Sequence, residues 1–481
     1  MNTKSNIISL KQALFPLIIL IILLAYNVYL YGDSAMNGSN QFILIVGASI
    51  ATIIGIKNGI LFKSMLEAIS SNIKSITGAI LILLFVGALS GTWLISGIIP
   101  SMIFYGLKII NPTIFLPSCV VICAIISIST GSSWTTSATV GIALIGIGKA
   151  IGIPIGMVAG AVISGAYFGD KLSPLSDTTN LAPAVSGSDL FSHIKYLTIT
   201  TVPTIVITLI ILSILNLFII SSGSTNHEIM LNTISRTFNI TPLLFIVPLI
   251  VLIMIFKKTP PLIALFIGTI LGGVFTVFFQ PSIINTISET SKLTYETAYR
   301  VIIDAITVET NIDSGDETLN ELFKSGGMLG MLNTIWLVIC AMVFGGVMES
   351  IGALKKISVA LLKLGKSTFS IFASTVGSCL AINLTASDQY LSIVIPGKMF
   401  SKAYRDRNLA PENLSRTLED SGTVTSVLIP WNTCGAFQSG ILGVGVLDYF
   451  IYAIFNWLSP FTTLIVAALN IKIKKLTNSG N

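Results

Sequence analysis

The chain is dominated by apolar runs that are each about as long as a lipid bilayer is thick. Such runs cover residues 13–31, 78–99, 197–221, 242–256 and 262–279, and a spanning α-helix needs roughly 20 apolar residues. Charged residues make up only 10% of the 481 residues, whereas an average soluble domain has about a quarter. A water-soluble protein of this size would have too few charges to cover its surface. The sequence therefore predicts an all-α polytopic membrane protein.

The positions of lysine and arginine predict the orientation of the helices. Cytoplasmic loops are enriched in these residues, so Lys4 and Lys11 place the N-terminus in the cytoplasm, and three lysines between 472 and 475 place the C-terminus there. Residues 32–41 have no basic residue, and residues 281–333 have eight acidic and three basic residues, so both segments are predicted to be external. The protein is thus predicted to be a multi-pass protein of the cell membrane. The other basic clusters, all predicted to be cytoplasmic, are Lys57 with Lys63 and Lys74, Lys257 with Lys258, and Lys355, Lys356, Lys363 and Lys366.

One of these basic segments has an amphipathic pattern. Phe62, Met65, Leu66, Ile69 and Ile73 recur at helical spacing among polar residues. This pattern is typical of a helix that lies along the membrane surface.

The alternation of the segments predicts two halves with the same plan in opposite orientation. Each half begins with two apolar helices, becomes irregular, and closes with a further helix. Two such halves are typical of secondary transporters built from inverted-topology repeats. The external loop 281–333 is interpreted as a solvated connector rather than as a cover for the transport site. The predicted parts are an extra N-terminal transmembrane helix (1–41), a first inverted repeat (42–221), a linking transmembrane helix (222–260), a second inverted repeat (261–471) and a cytoplasmic tail (472–481).

The irregular part of each half contains polar, interrupted stretches. In the first half these are SISTGSSWTTSATVG (127–141) and GDKLSPLSDTTNLAPAV (169–185), and in the second half NLTASDQYLSIVIPG (383–397) and LEDSGTVTSVLIPWNTCGAF (418–437). A broken helix is stable at membrane depth only where it is buried in protein or lines a watery cavity. Paired interruptions in the two halves therefore indicate a transport site where they meet.

Three aspartates lie inside these stretches beside hydroxyl groups, namely Asp177, Asp388 and Asp420. A carboxylate near the bilayer centre is costly and is by default a candidate functional residue. In a low-dielectric site it can hold a proton when the site is empty and release it when a cation arrives. Oxygen ligands alone suit a hard cation such as Na⁺ and argue against zinc or copper.

Other interpretations of these acidic residues stay open. Each of the three aspartates has the sequence context of a helix N-cap in an aqueous loop. Asp170 and Lys171 are interpreted as a pair at the cytoplasmic edge, and Glu419 is interpreted in the same way.

The remaining reactive residue types favour no catalytic or metal centre. Glu349 follows an apolar run and is placed at a helix end, and His193 and His227 fall near helix ends, which argues against a histidine proton relay. The five cysteines lie in apolar surroundings and are interpreted as small packing residues. Trp134 and Trp431 are candidates for cavity walls or for ordinary packing. No enzyme activity, cofactor or nucleic-acid partner is predicted.

Five stretches of the sequence resemble the NhaC-type Na⁺/H⁺ antiporter family. They are residues 131–148, 152–196, 326–352, 384–400 and 414–437. The resemblance implies a fold with inverted repeats and re-entrant hairpins, and an exchange of Na⁺ for H⁺. The family also includes exchangers of malate or lactate, and these motifs do not separate the branches. Carried over residue by residue, the family's polar motifs fall on Ser132, Ser133, Thr135, Asp177, Thr178, Thr179, Asn180, Thr385, Ser387, Asp388, Asp420 and Asn432.

The sequence thus predicts a secondary active antiporter with Na⁺ and H⁺ as transported ions. Asp177 and Asp388 are expected to bind Na⁺ and H⁺ alternately, with Thr178 and Thr385 among the Na⁺ ligands. The rival prediction is a Na⁺- or H⁺-coupled exchanger of small carboxylates. That rival is disfavoured because the interrupted stretches offer few cations, chiefly Lys171 and Lys398. The preference between Na⁺ and Li⁺, the stoichiometry, and the oligomeric state, a homodimer included, stay open.

Overall fold

A computed structural model describes residues 8–31, 35, 37–109, 111–220, 227–290, 292–315, 317–320 and 322–476. The predictions for Lys4, for the end of the C-terminal tail, and for parts of segments 32–41 and 222–240 lie outside these residues, as does that for the His227 side chain. Helices of the first part of the chain are α1 (Leu10–Tyr31), α2 (Ser39–Lys57), α3 (Phe62–Ser75), α4 (Thr77–Ile95), α5 (Ile98–Ile109), α6 (Phe115–Thr130), α7 (Ser133–Thr136), α8 (Ile142–Ala150), α9 (Ile155–Leu172), α10 (Asp177–Ser186), α11 (Leu190–Ile220), α12 (His227–Thr237) and α13 (Ile246–Phe256).

The second part of the chain is also helical, apart from one short antiparallel ladder. In this ladder β1 (Thr310–Asn311) pairs with β2 (Lys324–Ser325). Two π-helical stretches, Ser137–Gly141 and Glu419–Thr423, continue α7 and α22. Helices of this part are α14 (Pro261–Phe279), α15 (Pro281–Ile287), α16 (Tyr295–Thr307), α17 (Glu317–Asn320), α18 (Leu332–Ser350), α19 (Ala353–Leu362), α20 (Thr368–Thr385), α21 (Gln389–Arg405), α22 (Pro411–Leu418), α23 (Thr433–Leu442), α24 (Val446–Phe450) and α25 (Ile454–Ala468).

The helices confirm a polytopic membrane protein. Within the described ranges, eight helical segments are long and apolar enough to cross a membrane, and a ninth results if the pair Met230–Thr237 and Pro242–Phe256, bent by 82°, is one span. The predicted apolar runs coincide with such segments: residues 13–31 lie in α1, residues 197–221 largely in α11, and residues 262–279 in α14.

A similar order of long and amphipathic helices occurs in the two predicted halves, although the second has the additional short elements α15, β1, α17 and β2. In each half a long apolar helix, α2 or α14, is followed by an amphipathic helix, α3 or α16, and then by a second long helix, α4 or α18. The amphipathic helices are exchanged between the halves, since α3 packs against α18 and α16 packs against α4. A Cβ atom at Gly91 of α4 would lie 1.7 Å from the carbonyl oxygen of Ala305, and one at Gly346 of α18 would lie 2.8 Å from Cα of Ile69. Glycine is therefore required at both crossings, where the backbones touch.

Segment 281–333, which was predicted to be external, packs against the helices, so the prediction of a merely solvated connector is wrong. Its helix α16 buries Ala298, Val301 and Ala305 along one face, against α4. These three positions follow the helical period. The prediction of a solvated connector rested on the surplus of acidic residues in the segment and did not take this apolar face into account.

All four interrupted stretches are breaks between helices. The first break lies between α6 and α7, at Gly131 with φ of +70°, and the second lies between α9 and α10. The third lies between α20 and α21, where Ser387 adopts the left-handed conformation with φ of +59°. The fourth separates the π-helical end of α22 from α23. After each break the next helix starts with a side-chain N-cap, which satisfies backbone N–H groups that would otherwise lack a partner. These caps are Ser132, Ser176, Asp388 and Asn432.

Candidate functional site

The four helix starts surround one cavity of about 440 Å³. Residues from the first turns of α7, α10, α21 and α23 line it, together with parts of α3, α4 and α14. The helix that begins at α7 runs without a break through the π-helical stretch to Ala150, so all four helices have at least ten residues. The polar lining residues are Ser75, Thr130, Ser132, Ser133, Thr135, Asp170, Ser176, Asp177, Thr178, Asp388, Gln389, Tyr390 and Thr433.

Four helix N-termini give the cavity a positive backbone potential. The N-terminus of a helix is equivalent to roughly half a positive charge and exposes free N–H groups. Three carboxylates of the cavity wall, those of Asp170, Asp177 and Asp388, oppose this potential. This potential offsets part of the cost of an ionised carboxylate at membrane depth, and ionised carboxylates attract cations.

Asp388 joins the third and fourth breaks. Its side chain is 7% exposed, and its Oδ1 atom accepts a hydrogen bond from the backbone N–H of Leu391 at 2.9 Å. The preceding carbonyl, of Ser387, accepts one from the backbone N–H of Thr433 at 2.9 Å. Asp388 is thus both a helix N-cap and a wall of the cavity, so the two interpretations of this residue are compatible.

Asp170 belongs to the cavity, and its predicted position at the cytoplasmic edge is wrong. Its side chain is 9% exposed, and its Oδ2 atom accepts hydrogen bonds from the backbone N–H and the hydroxyl of Ser133, at 3.2 and 2.7 Å. The hydroxyl of Thr179 donates to the backbone carbonyls of Asp170 and Lys171, which ties the start of α10 to the end of α9. Asp170 therefore connects the first break to the second.

Asp177 is the most accessible of the three carboxylates. It is the first residue of α10, follows the N-cap Ser176, and is exposed toward the cavity. The adjacent hydroxyl of Thr178 lies 3.2 Å from that of Ser176. In the described part of the chain no three His, Cys, Asp or Glu side chains are close enough to hold a metal ion together. A cation in the cavity would consequently need hydroxyl or carbonyl oxygens beside the carboxylates.

Several predicted site residues lie outside the cavity lining and instead hold the breaks in shape. The Asn180 amide donates to the carbonyls of Pro174 and Ser176, and the Thr385 hydroxyl donates to that of Ala381. The Asn432 side chain caps α23 through the backbone N–H of Cys434 and donates to Asn383. Ser387 contributes its carbonyl as described above, whereas its buried hydroxyl has no partner among the described residues.

Asp420 also lies away from this cavity, in a buried ion pair. Its carboxylate accepts a hydrogen bond from the ammonium group of Lys171, and both side chains are fully buried. Its neighbour Glu419 is fully buried as well. The interpretation of Lys171 and Glu419 as residues of a cytoplasmic loop edge is therefore wrong.

A second cavity of about 420 Å³ adjoins the first at Asp388 and Tyr390. One face of α3, with Ala68, Ser71, Asn72 and Ser75, forms its wall opposite α18 and α21. Glu349 lies at the end of α18, as predicted, and also faces this second cavity. The two cavities share the lining residues Ser75, Asp388 and Tyr390.

Sequence reasoning missed Asp170, Ser176, Gln389 and Thr433 as lining residues. Each is at a cap, in a first turn, or in the last turn before a break. Of the two tryptophans, Trp134 lines the cavity and stacks on Phe437 with ring centroids 3.8 Å apart, whereas Trp431 donates to the carbonyl of Leu384. His193 is buried and lies 2.7 Å from the Ser415 hydroxyl, and the five cysteines are buried and free.

Comparisons with known proteins agree with this architecture. The sequence profile of the Na⁺/H⁺ antiporter family matches residues 165–471. The chain is 37% identical to the Na⁺/H⁺ antiporter NhaC of Alkalihalophilus pseudofirmus, over 91% of this chain and 92% of that protein. It is 34% identical to NhaC of Bacillus subtilis, over 85% and 87% of the two chains. It is 36% identical to the malate-2H⁺/Na⁺-lactate antiporter of Bacillus subtilis, over 87% and 86%.

These matches confirm the resemblance that was inferred from the five motif stretches. They extend over the four helix breaks and the carboxylates between them. The chain therefore belongs to the Na⁺/H⁺ antiporter family.

Proposed function

We propose that the protein is a secondary active antiporter that exchanges Na⁺ for H⁺ across the cell membrane. The observation that carries this proposal is the cavity in which Asp170, Asp177 and Asp388 meet the starts of four broken helices. Carboxylate, hydroxyl and carbonyl oxygens are hard ligands that suit Na⁺. The relatives named Na⁺/H⁺ antiporter support the same pair of ions.

The exchange follows from competition at the carboxylates. An empty, partly desolvated carboxylate binds a proton, because burial disfavours its charged form. When Na⁺ arrives, the ionised form becomes favourable and the proton leaves to water. Asp388 and Asp177 carry this exchange in the proposal, and Asp170 joins them through its position in the wall. The hydroxyls of Ser132, Ser133, Thr135 and Thr178 complete the Na⁺ shell, while Thr179, Asn180, Thr385, Ser387 and Asn432 position the breaks.

Alternating access arises, in this proposal, from two inverted repeats at residues 42–221 and 261–471. The repeated order of elements and the exchanged packing of α3 and α16 support it. The second cavity, which shares Ser75, Asp388 and Tyr390 with the first, is lined by α3, a helix that carries Lys63 and Lys74 and is predicted to be cytoplasmic. With α3 on that side, the proposal has both termini in the cytoplasm and the cavity reached from the cytoplasmic side.

Exchange in proteoliposomes tests the proposal directly. An imposed Na⁺ gradient should move protons in the opposite direction, measured with an entrapped pH indicator, and Li⁺ can replace Na⁺ in a parallel series. Asp388→Asn and Asp177→Asn should abolish the signal, and Asp189→Asn, at an exposed aspartate outside the cavity, should keep it. Wild-type rates in both cavity variants would refute the assignment of the site.

A Na⁺- or H⁺-coupled carboxylate exchanger is the second candidate. It is favoured by the relative named malate-2H⁺/Na⁺-lactate antiporter and by the four helix N-termini, which attract anions. It is disfavoured because Lys171, one of the two predicted cationic groups, is already paired with Asp420. Uptake of labelled lactate or malate, set beside ²²Na⁺ uptake in the same vesicles, decides between the two. Counterflow of a labelled carboxylate at rates comparable to ²²Na⁺ would favour this second function.

A further inference from the structure

A group of four buried charged residues lies outside the ion cavity, at the end of α9 and along α22 with its π-helical continuation. Its members are Lys171, Arg416, Glu419 and Asp420, and all four side chains are fully buried. Lys171 and Asp420 form an ion pair. The proposed exchange at the cavity uses none of these side chains, and only the adjacent Asp170 belongs to both regions.

Glu419 is the acid of this group without a partner. Neither of its carboxylate oxygens accepts a hydrogen bond from the residues that the structure describes. Burying an ionised carboxylate without partners costs several kcal/mol, which favours the protonated form of this carboxyl group in the described conformation. The Thr423 hydroxyl is near this carboxyl group and is also without a partner in the described ranges.

The charges around Glu419 make its ionised form attainable too. The titratable groups close to it are Asp170 and Lys171 of α9, Cys379 of α20, and Asp420 of its own stretch. Arg416, one helical turn earlier, is a second buried cation. Its guanidinium group packs 4.6 Å from the ring centroid of Tyr196, and none of its nitrogen atoms has a hydrogen-bond partner among the described residues. If Glu419 loses its proton, the two acids balance the two cations of the group.

The backbone at Glu419 is suited to a change of state. Glu419 opens the π-helical stretch Glu419–Thr423, which ends shortly before the fourth helix break. Single π-helical turns inside α-helices occur frequently at functional sites. A small change in the backbone conformation of this π-helical turn would turn the Glu419 side chain toward different neighbours while α22 and α23 stay intact.

We propose that Glu419 is a second proton-binding site, separate from the cavity, that takes up one proton from water on one side of the membrane and releases it on the other side in each cycle. This proposal rests on the proposed Na⁺/H⁺ exchange. In this proposal Na⁺ and one proton compete at the cavity carboxylates, and Glu419 adds a second proton. Two protons then move for each Na⁺, so one net positive charge crosses the membrane per cycle. In this proposal the link between the two sites is the end of α9, where Asp170 lines the cavity and the adjacent Lys171 pairs with Asp420.

The charge balance is measurable in proteoliposomes as accumulation of ²²Na⁺ at equal, strongly buffered pH. Valinomycin and a K⁺ gradient set a potential of about 59 mV, interior positive, which corresponds to a ~10-fold equilibrium gradient for one net charge. The wild type should therefore accumulate ²²Na⁺ about 10-fold. Glu419→Gln, which mimics the protonated carboxyl group, should still exchange Na⁺ for H⁺ but accumulate no ²²Na⁺ under this potential. Glu419→Asp should restore the accumulation.

The matched control is Glu412→Gln, at a glutamate of the same helix that pairs with Lys474; it should accumulate ²²Na⁺ as the wild type does. Accumulation by Glu419→Gln at the wild-type level would overturn the proposal. The proposal would also be overturned if the wild-type protein exchanged Na⁺ for H⁺ without any response to the potential. That result does not depend on whether the variant folds. A wild-type protein without Na⁺/H⁺ exchange would overturn the proposed function instead.

Discussion

The ammonium group of Lys171 pairs with the carboxylate of Asp420 across 249 positions of the sequence. Both side chains are fully buried, and the pair connects the last turn of α9 to the π-helical end of α22. These are the segments that precede the second and the fourth break. The pair therefore ties together two segments that lead into helix breaks at the cavity.

Loss of one partner of this pair should destabilise the protein strongly. Asp420→Asn leaves the Lys171 ammonium buried without a counter-charge, and such losses typically cost about 3–5 kcal/mol. Thermal unfolding of the purified protein in detergent measures the change. The double variant Lys171→Met with Asp420→Leu should be much closer to the wild type in stability, because neither charge of the pair is then left without its partner. Lys474→Ala, which breaks a partly exposed pair, should cost less than about 1 kcal/mol. A Tm of Asp420→Asn near that of the wild type would contradict the structure.

Asp388 has a capping role and a charge role that two substitutions can separate. Asn is as good an N-cap as Asp, whereas Ala loses about 1 kcal/mol at such positions. Asp388→Asn and Asp388→Ala should both lose Na⁺-driven proton movement, but only the Ala variant should also lose stability. Vesicle transport and thermal unfolding of both variants check this. Equal stability of the two would mean that the hydrogen bond to Leu391 contributes little.

Ser133 should affect the Na⁺ affinity of the cavity through its hydrogen bond to Asp170. Its hydroxyl donates to the Asp170 carboxylate at 2.7 Å, and hydrogen bonds to charged groups contribute about 1.5–3 kcal/mol. Ser133→Ala should therefore raise the Na⁺ concentration at half-maximal exchange by about tenfold or more and leave the fold intact. Ser129→Ala is the matched control, because that hydroxyl donates to the backbone carbonyl of Ile125 within α6. An unchanged Na⁺ dependence in Ser133→Ala would remove Asp170 from the site.

Gly91 should not tolerate a side chain, although a helix normally prefers alanine. A Cβ atom there would lie 1.7 Å from the carbonyl oxygen of Ala305, so α4 and α16 would have to separate. Overpacking of this kind costs about 1–3 kcal/mol. Gly78→Ala, in the same helix with open space around it, should instead be neutral or stabilising by up to about 1 kcal/mol. Thermal unfolding of both variants shows whether glycine is required specifically at the contact of Gly91, or whether any glycine-to-alanine change in α4 lowers the stability.

The loop after α16 should loosen at acidic pH. The backbone N–H of Gly315 and the amide of Asn320 donate to the Asp313 carboxylate and lower its pKa. A lowered pKa in the folded state stabilises the loop above the pKa of the unfolded segment, and this stabilisation is lost as pH falls through the folded-state pKa. Hydrogen exchange in residues 311–325, corrected for intrinsic rates, should therefore be slow at neutral pH and faster well below pH 4. Asp313→Ala should show the faster exchange already at neutral pH, and pH-independent protection of the loop would contradict this account.

The sequence by itself determined the fold class and the positions of the breaks. Apolar runs of bilayer length have no stable alternative to helices in lipid, so the bounds of α1 and α14 follow from residues 13–31 and 262–279. The same physics locates the breaks, because helix-breaking and polar residues such as Gly131 and Ser387 are tolerated at that depth only inside the protein. Asp177 and Asp388 could be singled out for that reason before any contact was known.

Only the tertiary structure decided which polar side chains meet. Asp170 and Lys171 are neighbours in the chain, yet successive side chains of a helix point about 100° apart. Asp170 therefore faces the cavity and Ser133, whereas Lys171 turns to Asp420, 249 positions away. Likewise, Glu419 became a candidate proton site only when its burial and its lack of a partner were visible. Such relations depend on the packing of segments that are distant in sequence, and local residue patterns do not contain them.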